Sequence, residues 1–236
     1  MSSRSEKMRL LRDDFLELIK ESECYLFMCR SDKLQSDRIS NIKKFMKRLA
    51  EEKAVAIGSC DEGSANELLA YEYMLDAISN ELQMYVALKS GSAGVAWSRL
   101  VDAQMASCHA VKSHSVAEYL EKIHIPRLIE LERLLFPKQI FMSTGMIVDK
   151  SECSICGSDY GDCDHIKGHA YMGVLCARIV TKARVREVSF VEYPASKHCR
   201  VLSFVGDDGV RRDALSLDEV DEVDEVDEVD EVDEGE

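Results

Sequence analysis

The sequence predicts an α+β protein: a helical domain over residues 1–137, a small β module over residues 138–216 and an acidic tail over residues 217–236. Three observations predict it. Apolar residues recur at helical spacing from about residue 5 to residue 136. Short β-branched and aromatic runs replace them after Pro137. From Asp218 the chain becomes an Asp-Glu-Val repeat.

The clearest helix is Ser64 to Lys89. Leu68, Leu75 and Leu82 recur every seven residues, with Tyr71, Ile78 and Tyr85 between them, so six side chains share one stripe. Ser64-Ala-Asn-Glu67 reads as a capping box at its start. Ser90-Gly91 ends it, where an unhindered residue is useful. Met8, Leu11, Phe15, Leu18 and Ile19 mark the face of a first helix. Ile39, Ile42, Phe45, Met46 and Leu49 mark a second, and Trp97, Leu100, Val101 and Met105 a fourth. Val116, Tyr119, Leu120 and Ile123 begin a fifth, which Leu128, Ile129, Leu131, Leu134 and Leu135 continue. Pro126 lacks a backbone donor and restricts Ile125, so a kink or restart is expected there.

In the β module, Ile140-Phe-Met and Met146-Ile-Val flank Gly145 as short strand runs. Tyr171 to Val180, Val185 to Tyr193 and Cys199 to Val205 follow, and Gly206-Asp-Asp-Gly209 is a turn signal. Alternation from Val185 to Tyr193 is partial, which suits a strand near an edge.

The tail holds thirteen acids and no base over residues 218–236, so it accounts for all but one of the fourteen net negative charges. Adjacent acids repel and one Val per triplet cannot build a core, so disorder is expected. A solubilising role is the default; a docking strip for a basic partner is the functional alternative.

No run approaches the ~20 apolar residues of a membrane span, and the N-terminus has no apolar signal-type segment. Nine cysteines, an odd number, argue against a disulfide framework. A cytoplasmic protein is expected.

The sharpest chemical signal is Cys153-Ser-Ile-Cys156-Gly157 followed by Cys163-Asp-His165. Two cysteines two residues apart can wrap one ion from a tight turn, and Gly157 can take the positive φ that such a turn wants. Three thiolates and an imidazole suit tetrahedral Zn²⁺. One structural zinc on Cys153, Cys156, Cys163 and His165 is therefore predicted, with His169 or Cys176 as alternative fourth donors. The ion would supply free energy that so small a β core cannot.

Other signals are weaker. Glu121-Lys-Ile-His124 has the Glu-x-x-His spacing of di-iron bundles, but those need two such pairs. Arg38, Lys43, Lys44, Lys47, Arg48 and Lys53 on the second helix suit a solvated face, nucleic-acid contact or the protein's own tail. Phosphate-loop, nucleophile-elbow and His-Glu-x-x-His motifs are absent.

Gly168-His-Ala-Tyr171-Met-Gly173 and Glu187-Val-Ser-Phe-Val-Glu-Tyr-Pro194-Ala195 resemble segments of tailed-phage prohead-protease-like proteins and their zinc-knuckle relatives. The resemblance covers about residues 150–205. It implies a compact β fold and a phage-linked or mobile-element setting. It also raises a serine hydrolase using His169 and Ser189, although His165 is better spent on metal and no third member is evident. The reading preferred from the sequence is non-enzymatic: a zinc-binding protein acting through protein–protein interaction.

Overall fold

A computed structural model describes residues 2–220. The predicted tail repeat beyond Val220 lies outside the described residues. The chain is α+β, with six α-helices followed by three two-stranded antiparallel sheets among the described residues.

The helices are α1 (Ser2–Glu23), α2 (Asp32–Gly58), α3 (Glu62–Lys89), α4 (Ala93–Ser113), α5 (Glu118–Lys122) and α6 (His124–Leu135). Helix α3 is central: its predicted stripe, Leu68, Tyr71, Leu75, Ile78, Leu82 and Tyr85, is buried throughout. Leu11, Phe15 and Ile19 of α1 and Ile42 and Leu49 of α2 close on one half of it. Trp97, Leu100 and Val101 of α4 and Leu128 of α6 close on the other. Met105, expected on the buried face of α4, is 45% exposed.

Two boundaries differ from the sequence reading. Helix α3 starts three residues early. Asp61 is its N-cap and accepts from the Ser64 N–H at 3.2 Å. Glu67 is not a capping partner, because it turns inward to Arg12 and Tyr71. Asp61 offers the same oxygen as a cap serine, and Arg12 offers Glu67 a stronger partner than a backbone amide. The expected restart lies between α5 and α6, at Ile123, which puts Pro126 in the first turn of α6. There its missing N–H costs no helix bond.

The strands are β1 (Phe141–Cys153), β2 (Ala170–Tyr171), β3 (Val174–Leu175), β4 (Arg178–Val191), β5 (Ser203–Val205) and β6 (Arg211–Asp213). β1 is one long strand rather than two runs about Gly145. β4 likewise runs through Thr181-Lys-Ala-Arg184, where two separate strands were expected. Three register irregularities, near Gly145, Asp149 and Thr181, let the pair stay continuous where the sequence alternation breaks. Tyr171 to Val180 is instead divided by a tight turn at Met172-Gly173.

The β1–β4 ribbon is about 40 Å long at ordinary strand rise. Its foot belongs to the helical core. Phe141 is buried against Trp97, and Cys199–Val201 lies on the other side of Ile140–Met142. The Trp97 indole donates to Lys197 O at 3.1 Å. Its far end meets the start of α3. Asn66 donates to Ala170 O and accepts from the Gly173 N–H at 2.8 Å. Gly173, at φ +76°, would bring a Cβ to 3.3 Å from Ala65 O. Between these ends every residue of β4 from Arg178 to Phe190 is exposed.

Both hydrophobic clusters are built mainly from helical residues, and the β half contributes only Phe141 and Leu215 to their buried members. No helix among the described residues is long and apolar enough to cross a membrane.

Candidate metal centre

β1 ends in Cys153, and the segment between β1 and β4 folds back as a knuckle. The Gly157 N–H donates to Cys153 O at 2.8 Å with φ +71° at Gly157, and the Cys153 N–H donates to Ser158 O at 2.9 Å. The first bond closes the Cys-x2-Cys turn; the second fixes the chain leaving it. Only a residue tolerating positive φ fits after Cys156. A short 3-10 turn, Tyr160–Asp162, then returns the chain to Cys163.

The result brings the four predicted residues together. One ligand atom each from Cys153, Cys156, Cys163 and His165 lies within 4.8 Å of all the others, a group that could hold a metal ion. Cys156 and Cys163 sulfurs are 3.5 Å apart, and Cys163 Sγ is 3.1 Å from His165 Nδ1. Sulfurs at the corners of a tetrahedron with ~2.3 Å zinc–sulfur bonds sit roughly 3.8 Å apart, so the cluster has about the right size.

Backbone amides lower two of the three thiols, Cys153 and Cys156, whereas at Cys163 the His165 amide is overridden by burial and the neighbouring cysteines, which raise the thiol to about 11. Ile155 donates to Cys153 Sγ at 3.4 Å and His165 to Cys163 Sγ at 3.2 Å. Burial opposes the thiolate of Cys153, but the amides of Cys156 and Ile155 outweigh it and bring that thiol down to about 7. The Ser158 amide draws Cys156 down as well. The imidazole of His165 is held edge-on by the Tyr171 ring, 4.7 Å away, whose hydroxyl accepts from the Ile166 N–H.

Of the two alternative donors, Cys176 comes near and His169 does not join the cluster. Cys176 is buried with its sulfur 3.8 Å from Cys153, outside the four-donor group. All nine cysteines are free thiols.

The other sequence candidates are not brought into catalytic arrangements. Ser189 pairs with Ser143 near the foot of the ribbon, while His169 lies beyond the Cys153 end, so about 30 Å of strand separates them. His124 is not partnered by Glu121, which is exposed. Its Nε2 meets Glu81 Oε2 at 3.0 Å and its Nδ1 meets Ser107 Oγ at 2.9 Å. This Ser–His–Glu relay was invisible in the sequence because its members come from α3, α4 and α6. Ser107 and Glu81 have no exposed surface, so no substrate reaches it. Of the six basic residues singled out on α2, three are already paired: Arg38 with Glu21, Arg48 with Asp14 and Lys53 with Glu72.

Compared with models of known protein families, with curated proteins and with solved structures, the chain matches none of them.

Proposed function

We propose that this is a non-catalytic zinc-binding protein that works through protein–protein contact, its contact surface being the β1–β4 ribbon. One observation carries the reading: in a ribbon of a 13-residue and a 14-residue strand, β4 stands exposed from Arg178 to Phe190 and β1 only in part. Met142, Met146, Val185, Val188 and Phe190 all project apolar surface from it. A lone two-stranded ribbon is marginal in water, and exposed apolar surface on this scale favours a protein partner.

In this reading one Zn²⁺ on Cys153, Cys156, Cys163 and His165 secures the far end of the ribbon as Trp97 and Phe141 secure its foot. The donor set supports that role: four protein ligands fill a tetrahedral shell and leave no position for substrate. The nine free thiols support a reducing, cytoplasmic setting. The resemblance of Gly168–Gly173 and Glu187–Ala195 to prohead-protease-like proteins supports a phage-linked or mobile-element context.

The test places a photo-crosslinking amino acid at Phe190 in the full chain, in cells, and at Leu134 as an exposed apolar control on α6. A discrete protein adduct from the Phe190 position alone is expected. Equal labelling from both positions, or none from the ribbon, overturns the reading.

A further inference from the structure

The ribbon leaves an entire strand edge open. Among the described residues β4 bonds only to β1, so the N–H and C=O groups on its far side face no strand. Such an edge is a template for another strand.

The chemistry of this edge is selective. Arg178, Lys182, Arg184 and Arg186 stand on β4 against one acid, Glu187. Arg178 is committed to Ser151 and the Tyr160 ring, and Arg184 shares Asp149 at 3.2 Å. Lys182 and Arg186 have no ion pair among the described residues. Ile179 and Val185 stand between the bases, and Val188 and Phe190 follow them, the last 73% exposed.

The fold already contains a small example of the match. Asp218-Glu219-Val220, the first triplet of the repeat, lies antiparallel on the edge of β6, whose sequence is Arg211-Arg212-Asp213. Glu219 sits opposite Arg212, the Val220 N–H donates to Arg211 O at 3.0 Å, and the Asp213 N–H donates to Asp218 O at 3.0 Å. An acidic triplet thus bridges the edge of a strand that carries two arginines, although the Arg212 guanidinium itself pairs with Asp208.

Two other occupants fit less well. A second copy joined through β4 sets four bases against four bases, and like charges across a strand pair are destabilising. Nucleic acid meets Asp149, Glu152 and Glu187 among the bases of the ribbon.

We propose that the outer edge of β4 is a docking strip for an acidic extended protein segment of Asp-Glu-Val character, which adds to the ribbon as a third strand. This rests on the reading of the ribbon as the contact surface and names the chemistry of the partner. Lys182 and Arg186 supply the charge selection, and the open edge supplies the backbone bonds.

The experiment uses full-length, zinc-loaded chain whose acids beyond Val220 are replaced by Asn and Gln, so that no competing acidic segment is attached. The probe is a labelled synthetic peptide with the sequence of residues 218–232; the same peptide with Asn and Gln for its acids is the control. Binding is followed by fluorescence anisotropy at low and high salt, and by hydrogen exchange of the amides from Arg178 to Val191. The acidic peptide is expected to bind at low salt and protect those amides, and the neutral one is not. The double variant Lys182→Glu, Arg186→Glu is expected to weaken binding by about tenfold or more. Exchange in the helices and zinc content report whether each variant is folded. Weaker binding to the native chain, by competition from its own acids, supports the same chemistry. Absence of peptide binding overturns the proposal, as does binding that ignores Lys182 and Arg186. Protection of β4 by a DNA duplex or by raised protein concentration, without peptide binding, also overturns it in favour of nucleic acid or a second copy. A Phe190 adduct to a protein lacking an acidic segment removes this inference alone; no adduct at all removes the reading beneath it.

Discussion

Removing the ion is expected to unfold residues 153–177 while leaving the helices in place. The perturbation is a strong chelator or, independently, Cys156→Ser. Between residues 154 and 177 only Gly173 and Cys176 are buried. A buried apolar side chain contributes roughly 1.5–3 kcal/mol, and Gly173 has no side chain to contribute. A structural Zn²⁺ contributes about 10–16 kcal/mol in small zinc modules. An ion bound there would therefore outweigh burial in this segment several-fold. The helices do not depend on it, because the cluster formed by α1, α2 and α3 draws no buried residue from the β half. Hydrogen exchange read by mass spectrometry, with zinc measured in the same samples, checks this. Exchange across residues 153–177 should approach the unfolded rate when zinc is lost, with little change from α1 to α4. Full protection of that segment in demonstrably metal-free protein refutes the reasoning.

Three further outcomes follow from the packing. Trp97→Ala should cost about 3–5 kcal/mol by urea unfolding, because it empties a site packed by Phe136 and Phe141 and frees Lys197 O; a cost below about 1 kcal/mol would contradict the shared core. Arg127→Ala should cost about 3 kcal/mol, because Glu81 stays fully buried with one oxygen already unpartnered; water reaching the half-open Arg127 site limits the loss. Burial opposes the Glu67 carboxylate, but Arg12 and Tyr71 hold it below its ordinary value of 4.5. Its contribution is whole above that value and is lost as pH falls through the lower folded value. Glu67→Gln should therefore flatten the acid limb of a melting-temperature profile. The effect is about 1 kcal/mol, since Arg12 is half exposed.

The Cys/His cluster was legible because its members are close in sequence. Cys153, Cys156, Cys163 and His165 span thirteen positions, and Gly157 marks the turn that gathers them. The α3 stripe was legible for a similar reason: helical periodicity is a local signal. Strand continuity was not. Irregular pairing near Gly145, Asp149 and Thr181 masks the period-two pattern, so two long strands read as several short ones. Glu67 misled because a capping oxygen and an inward-facing carboxylate look alike until Arg12 is placed beside it.

The sequence by itself determined the α+β class, the stripe around which the bundle packs and the four residues of a Cys/His cluster that could hold a metal ion, since all three are written in spacings shorter than one or two turns of chain. Only the tertiary structure decided that Phe141 shares a core with Trp97, that Ser107, His124 and Glu81 meet in the interior, and that β4 keeps an open edge. Those depend on which distant segments touch, and the free energy of such contacts is fixed by packing rather than by local pattern.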